Sequence, residues 1–532
     1  MVVGTRYQKE KLNTPYDIII IGSGIGGLCT ASLLSKAKKK VLVLERHYTA
    51  GGFTHTFKRK NYEWDIGVHY IGEVHDPLSP VGFLFNLITE GNLKWAKMPD
   101  VYDRFYFGND IYEFTSGRKN LMKRLISYFP DEEKDIKNYF TLLDKIYFAS
   151  MLYFTEKSFP PSISQLLYSI MSSPFFKYSD KTVKEGMAEI TSNPKLLGLL
   201  TGQWGDYGLP PSQASLAIHG MVARHFFEGG NYPVGGSASI ARSLIPVIEK
   251  SGGNVFTQAD VQEIIIKDNK AIGVRLTSGD EIYANIVISG IGVFNTFKKL
   301  IPEEIANKHG LLQKLKEVNR SHPHICLYVG IKESAKKLGL GPTNLWVYPN
   351  YDHDKNVQNY LNDPKAPFPS LYISFPSSKD PEWEKDYPDR STIEVITFTP
   401  YESVKQWENT KWRKRGPDYE KFKESLSNRM LEELYKYVPQ VKGKVDYHEL
   451  STALSTKHFC AYEQGEIYGI DHSPSRFRKK WLRPHTPIKN LFLTGQDAAA
   501  AGIAGAMSGG FSAACAILGP AIIKVLSHNF IK

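Results

Sequence analysis

The apolar pattern near the start of the chain changes twice within thirty residues. An apolar run, Tyr16 to Ile21, interrupted only at Asp17, predicts a strand buried on both faces. Leu28, Ala31, Leu33 and Leu34 then share one side of a helix, and Val41 to Leu44 is a second apolar strand. Residues 231–289 predict a helix from about Ala238 to Lys250 and a strand at Asn254 to Thr257. Further strands follow at Val261, at Ala271 to Leu276, at Glu281 to Tyr283 and at Ile286 to Ser289. They read as the rest of the same sheet with a small antiparallel meander. At the far end a short strand, Leu491 to Thr494, precedes a helical pattern built of Ala and Gly. The two long intervening segments differ from these. Residues 76–224 predict mainly helices with aromatic-rich loops, and residues 297–445 mix strands with charged helices such as Glu420 to Val438.

The turns between these elements carry the chemistry. Tyr16 to Ile21 runs into Gly22-Ser23-Gly24-Ile25-Gly26-Gly27, and the second strand ends in Glu45-Arg46. Strand, GxGxxG, helix, strand and acid together form the dinucleotide-binding arrangement; the glycines alone are weak evidence. Gly22 is expected at the tight turn, Gly24 where backbone approaches a pyrophosphate, and Gly27 where helix packs on strand. Glu45 stands where a carboxylate accepts hydrogen bonds from a ribose. Gly51-Gly52, soon after the acid, suits a loop folded over a second part of a long cofactor, and a segment ending Gly67-Val68-His69-Tyr70 follows. Gly495-Gln496-Asp497 and the helix carrying Gly502, Ile503, Gly505 and Ala506 read as the closing motif of a flavin domain. Asp497 is expected on ribitol or pyrophosphate. These features predict a resident FAD rather than NAD.

Composition removes alternatives. The 532 residues allow more than one domain, and 42% hydrophobic with 23% charged residues is ordinary for a globular protein. Four scattered cysteines form no CxxC and no metal spacing, which fits a reducing compartment. No GxSxG, HExxH or P-loop motif occurs. The net charge of +11 suits an anionic membrane surface, and without a nucleic-acid fold signature no nucleic-acid partner is expected. The apolar span 498–523 is long enough for a membrane helix, but its small residues, Gly509-Gly510 and Pro520 favour a packed helix. The first residues hold no apolar signal core, so a cytoplasmic protein peripheral to a membrane is expected. Met151 to Tyr178, rich in Phe, Tyr, Leu and Ile and broken by prolines, reads as a substrate entrance at a membrane interface or as a buried hairpin.

With these pieces placed, the chain resembles the retinol saturase family (all-trans-retinol 13,14-reductase), within the carotenoid isomerase and phytoene desaturase flavoprotein group. The resemblance spans about residues 15 to 520. It is carried by VLVLERHYTAGGFTHTF, DIGVHYIGE, LITEGNLKWA, GGNYPVGGSASIA, SFPSSKDPEWE and TPIKNLFLTGQD. The chain departs from animal members in lacking their N-terminal hydrophobic signal and in reading Phe53-Thr54-His55 after Gly51-Gly52.

The resemblance implies an α/β fold: a Rossmann-type, amine-oxidase-like FAD-binding domain with an inserted α+β substrate domain and a helical cap. Residues 14–75, 225–296 and 446–525 are expected to form the FAD domain. Residues 76–224 and 297–445 are expected to form the substrate domain and its cap. Val261 is expected to offer its backbone to the adenine edge. The implied activity is FAD-dependent reduction of a carbon–carbon double bond of a polyene lipid; the electron donor is left open, with transiently docking NAD(P)H as one candidate. Isomerisation or desaturation on the same scaffold, or a flavin-binding scaffold without turnover, are the alternatives. His69, Tyr70, Tyr207 and His219 lie in motif-dense regions and are weighed as proton donors, and no catalytic residue is assigned. Oligomeric state is left open.

Overall fold

A computed structural model describes residues 2–527. Two sheets organise them. In the first, parallel strands run in the order Thr5–Arg6, Asn254–Thr257, Val41–Leu44, Tyr16–Ile21 and Glu281–Ser289, and Leu491–Leu493 joins the last of these. Glu281–Ser289 also continues into the antiparallel meander of Lys270–Leu276 and Val261–Lys267.

The apolar run Tyr16–Ile21 is explained by burial on both faces. Ile18, Ile20, Val41 and Val43 pack into one core, with Leu28, Leu33 and Leu34 of the helix Ile25–Lys36. Tyr16, Ile19, Ile21, Leu42 and Leu44 alternate with them and pack into the core on the other face. Truncating one of these isoleucines to alanine would cost about 2–5 kcal/mol.

The second sheet is built from distant parts of the chain. Its order is Val445–Ser451, His324–Ile331, Ser391–Phe398, Leu371–Ser374, Asn344–Tyr348, Val101–Phe107 and Asp110–Thr115. The last two strands lie in a segment whose pattern predicts mainly helices. Asp103 and Arg104 interrupt the apolar alternation there, and Asp103 is nevertheless fully buried. Val445–Ser451 runs on past residue 446 and pairs with His324–Ile331. Helices, among them the long pair Glu133–Ser158 and Pro161–Ser179, cover one flank of this sheet through a large aromatic core. A buried cluster pins the base of that pair. The guanidinium of Arg483 donates to Glu156 at 3.1 Å and to Ser164 at 2.5 Å.

Among the described residues one stretch, Gly502–Ser527, is long and apolar enough to cross a membrane. It packs instead along the helix Ile25–Lys36. A Cβ on Gly510 would lie 2.6 Å from the Gly26 carbonyl oxygen, and one on Gly509 would lie 2.2 Å from the Gly495 carbonyl oxygen. Its small residues are therefore contact residues between two helices and a strand end.

Candidate active site

The Gly-rich turn is held in a conformation that glycine alone adopts readily. Gly22 has φ of +94°, and a Cβ on Gly27 would lie 2.3 Å from the Gly22 carbonyl oxygen. Gly24 differs. A Cβ there would meet no protein atom within 4 Å, so its backbone faces open space at the N-terminus of the helix Ile25–Lys36. Gly52 packs against the same turn, where its own Cβ would come within 2.9 Å of Gly24 Cα. Free helical N–H groups facing a void walled by backbone suit a pyrophosphate.

Glu45 closes this end. Its Oε2 accepts from Ser23 N at 2.9 Å and Ser23 Oγ at 2.7 Å, and Oε1 accepts from His47 N at 2.8 Å. Ser23 Oγ in turn accepts from Gly51 N at 3.0 Å. The carboxylate is thus aimed by three backbone and hydroxyl contacts while still bordering the cavity. Ser23 and Gly51 act behind it and do not border the cavity themselves.

The C-terminal motif meets the loop from the opposite side. Gly495 lies against Gly26, where a Cβ would come within 2.5 Å of Gly495 Cα. Gly495, Gln496, Gly502, Ile503, Gly505 and Ala506 all border the same cavity. Asp497 does not. It is buried, and its carboxylate accepts from Val293 N at 2.8 Å and Ile470 N at 3.0 Å. It ties three segments together behind the site. Val68 and Val261 are also buried, and neither borders the cavity.

The cavity, about 1020 Å³, lies at the upper end of cofactor and ligand sites. Gly22, Gly24, Ile25, Gly26, Arg46 and Gly52 border one end. Gly67, His69 and Tyr70 border its middle, and beyond them it opens into an aromatic chamber with Trp204, Phe226, Trp346 and Tyr372. Among the four residues weighed as proton donors, His69 and Tyr70 reach the cavity. Tyr207 and His219 hydrogen-bond to each other at 3.3 Å within the core.

Charges beneath the chamber come from residues no local motif announces. His69 Nδ1 lies 2.9 Å from Glu394 Oε2. Burial pushes the imidazole down to about 3 and the carboxyl up to about 8, which favours the neutral form of each. Lys379, buried and pushed down to about 7 by burial, donates to the His69 carbonyl oxygen at 2.9 Å and to Ser374 Oγ at 2.7 Å. A resident FAD fits this arrangement: void and helical N–H groups at one end, a carboxylate beside them, and a dry chamber beyond.

At the mouth, Met151, Phe159 and Ile163 of the helical pair face Pro520, Ile522 and Ile523. The surface around it is apolar. Leu166 is 79% exposed, Ile170 73%, Ile523 65% and Phe148 63%.

Comparison with known proteins places these observations. A family model described as flavin containing amine oxidoreductase matches residues 25–518. The chain is 35% identical to an all-trans-retinol 13,14-reductase of Danio rerio, over 94% of this chain and 86% of that protein. It is 27% identical to a chloroplastic prolycopene isomerase of an Oncidium hybrid cultivar, over 88% of this chain and 77% of that protein. Cyclohexylamine oxidase from Brevibacterium oxydans shares the fold, with a TM-score of 0.59 at 16% identity over 97% of this chain and all of that one.

Proposed function

The chain belongs to the flavin-containing amine oxidoreductase family and, within it, to the all-trans-retinol 13,14-reductase group, and from that premise we propose that it reduces a carbon–carbon double bond of a retinoid-like polyene. The observation that carries this reading is the single cavity that joins the dinucleotide loop to an aromatic chamber and then to an apolar mouth. When bound, FAD supplies the hydride.

The chain's own residues do the rest. Gly24 and Gly52 would leave room for the pyrophosphate, Glu45 would accept from the ribose, and Gly495, Gln496, Gly502, Ile503, Gly505 and Ala506 would hold the remaining cofactor. Trp204, Trp346, Tyr372 and Phe226 give a flat polyene apolar walls and exclude water from the reacting carbons. The exposed apolar residues around the mouth support peripheral contact with a membrane, from which an insoluble substrate would enter. NAD(P)H is the electron donor in this reading, docking transiently because the chain carries one strand–Gly-loop–helix unit, which serves the resident cofactor.

The test is anaerobic incubation of the chemically reduced flavoprotein with all-trans-retinol, followed by absorption and chromatography. Loss of a conjugated double bond moves the absorption to shorter wavelength. The prolycopene isomerase likeness favours a second outcome, a changed geometry at constant conjugation length, which would make the protein an isomerase. An unaltered polyene across retinoids and carotenoids would leave only flavin binding.

A further inference from the structure

The reaction needs a proton as well as a hydride, and no motif in the sequence names its source. The chamber holds a constellation that does. Tyr70 Oη lies 3.1 Å from Asp103 Oδ2 and 3.2 Å from Asp206 Oδ2. A phenol has one proton and donates to one of these oxygens only. Toward the other it presents a lone pair, and an ionised carboxylate against a lone pair is repulsive. One of the two carboxyl groups must therefore carry a proton.

Donor counting identifies it. Asp103 is fully buried and accepts from Gln203 Nε2 at 3.0 Å and from Asn344 Nδ2 at 2.9 Å. With Tyr70 it has three donors, which hold it as the anion. Asp206 has the Tyr70 contact for its side chain and no second donor among the described hydrogen bonds. It sits on the short turn Trp204–Asp206 and, unlike Asp103, borders the cavity, between Tyr70, Trp204 and Trp346.

We propose that Asp206, protonated and held through Tyr70 to the Asp103 carboxylate, is the acid that delivers the proton to the polyene. This rests on the reductase reading above. Two C–H bonds form on the substrate: one takes the hydride from reduced flavin, and the other takes the Asp206 proton at the neighbouring carbon. The C=C π bond is lost, the substrate is reduced and the flavin is oxidised. Asp206 is left as a carboxylate beside a second carboxylate, which makes it a strong base, and it regains its proton from water when product leaves. Tyr70 is a positioning residue, not the donor.

The electrostatics agree. Burial, then the neighbouring Asp103 charge, pushes Asp206 up to about 8, and burial pushes Asp103 up to about 6. The other titratable groups that face Asp206 are the phenols Tyr102, Tyr207, Tyr348, Tyr372 and Tyr468. Burial raises each of them, so all stay protonated near neutral pH. A proton donor with a pKa near the working pH combines a large protonated fraction with useful acidity.

The first test needs no turnover. At pH 7 the infrared difference between wild-type flavoprotein and Asp206→Asn should contain the carbonyl band of a protonated, buried carboxylic acid, shifted in D2O, while the band of Glu394, common to both proteins, cancels. Asparagine keeps an N–H donor toward Tyr70 Oη, so the fold is retained. Tyr70→Phe should shift the band by removing its hydrogen-bond partner. The second test is single-turnover oxidation of the reduced flavin by all-trans-retinol. Asp206→Asn should slow it by about 10²–10⁴-fold with retinol binding unchanged, and Asp206→Glu should recover part of the rate. The wild-type rate should fall as pH rises through about 8. A wild-type-minus-Asp206→Asn difference spectrum with no such band, or a rate within threefold of wild type, overturns the proposal. So does a large loss in His69→Gln with none in Asp206→Asn. If wild-type reduced flavin is not oxidised by any polyene while the band depends on Asp206, the reductase reading fails instead, and with it the donor's role in this reaction.

Discussion

The two ends of the cavity are built on different principles. The dinucleotide end is made of backbone: Gly22, Gly24, Gly27 and Gly52, with a single carboxylate, Glu45, aimed by Ser23 and His47. The chamber end is made of side chains. Its walls are aromatic, and beneath them lie Asp103, Asp206, Lys379 and Glu394, all perturbed by burial. A backbone cradle requires particular residues at fixed local spacing, because a single Cβ is fatal to it. A side-chain chamber requires only that the fold bring suitable groups together.

The sharpest way to break the comparison is within the glycines. Gly26→Val should unfold the dinucleotide domain, because its Cβ would sit 2.5 Å from Gly495 Cα and 2.9 Å from the Ala506 carbonyl oxygen. Backbone on both sides cannot give way, and the cost should reach at least about 3 kcal/mol. Gly24→Val places its Cβ where no protein atom lies within 4 Å. It should keep the melting temperature of the apoprotein and lose flavin by at least about 100-fold, or about 2.7 kcal/mol. Calorimetry of both apoproteins and flavin titration of Gly24→Val decide it. Flavin at full stoichiometry in Gly24→Val would remove the pyrophosphate from this turn.

Asp497 tests whether the closing motif belongs to the cradle or to the scaffold. Asp497→Ala leaves the Val293 and Ile470 N–H groups buried without their acceptor, at about 1–3 kcal/mol each. Thermal stability of the apoprotein should therefore fall, and flavin affinity should fall only as a consequence. Unchanged apoprotein stability with weakened flavin retention would put the carboxylate on the cofactor.

This contrast explains what could be read from the chain alone. The strand Tyr16–Ile21, the glycines after it, Glu45 and the strand Leu491–Leu493 were legible because each is a local pattern with one physical meaning. Asp497 was visible as part of a motif, but its partners at 293 and 470 were not, so its role reads differently in three dimensions. The constellation at Asp206 draws on residues 70, 103, 203, 206 and 344, and only Gln203 and Asp206 share an element of the fold. No periodicity links them. Asp103 even hides its strand, because a carboxylate in an apolar alternation argues against burial until its three donors are known.

The chamber's perturbed acids give folding a distinct dependence on pH. Asp206 is raised from 3.8 to about 8 in the folded protein. Below pH 4 it is protonated in folded and unfolded chains alike and favours neither. Between pH 4 and 8 the unfolded chain releases the proton and the folded one keeps it, so stability falls as pH rises. Above 8 the penalty is constant. Asp65, Asp103 and Glu394 act in the same direction, so the wild-type curve alone cannot isolate Asp206. The difference between Asp206→Asn and wild type can. Denaturant unfolding should show the variant gaining on wild type from pH 4 to 8 and no further change above. A difference independent of pH would mean that Asp206 is ionised in the fold.

The smallest effect on stability is expected furthest from both ends, at the mouth. Leu166 and Ile170 lie on the helix Pro161–Ser179 and are 79% and 73% exposed, so neither contributes much to the core. Leu166→Glu with Ile170→Glu should change folding stability by no more than about 0.5 kcal/mol per site. Flavin content should be untouched, because the cradle is built from other segments. If the mouth sits in a bilayer, however, each side chain moves from water into an apolar phase on binding, worth about 1.5–3 kcal/mol when complete. Partition to liposomes should then weaken by at least tenfold, and turnover of retinol in vesicles should fall while turnover of detergent-solubilised retinol does not. Equal partition of the double variant and wild type would separate the apolar surface from substrate entrance and leave the chamber to be filled from water.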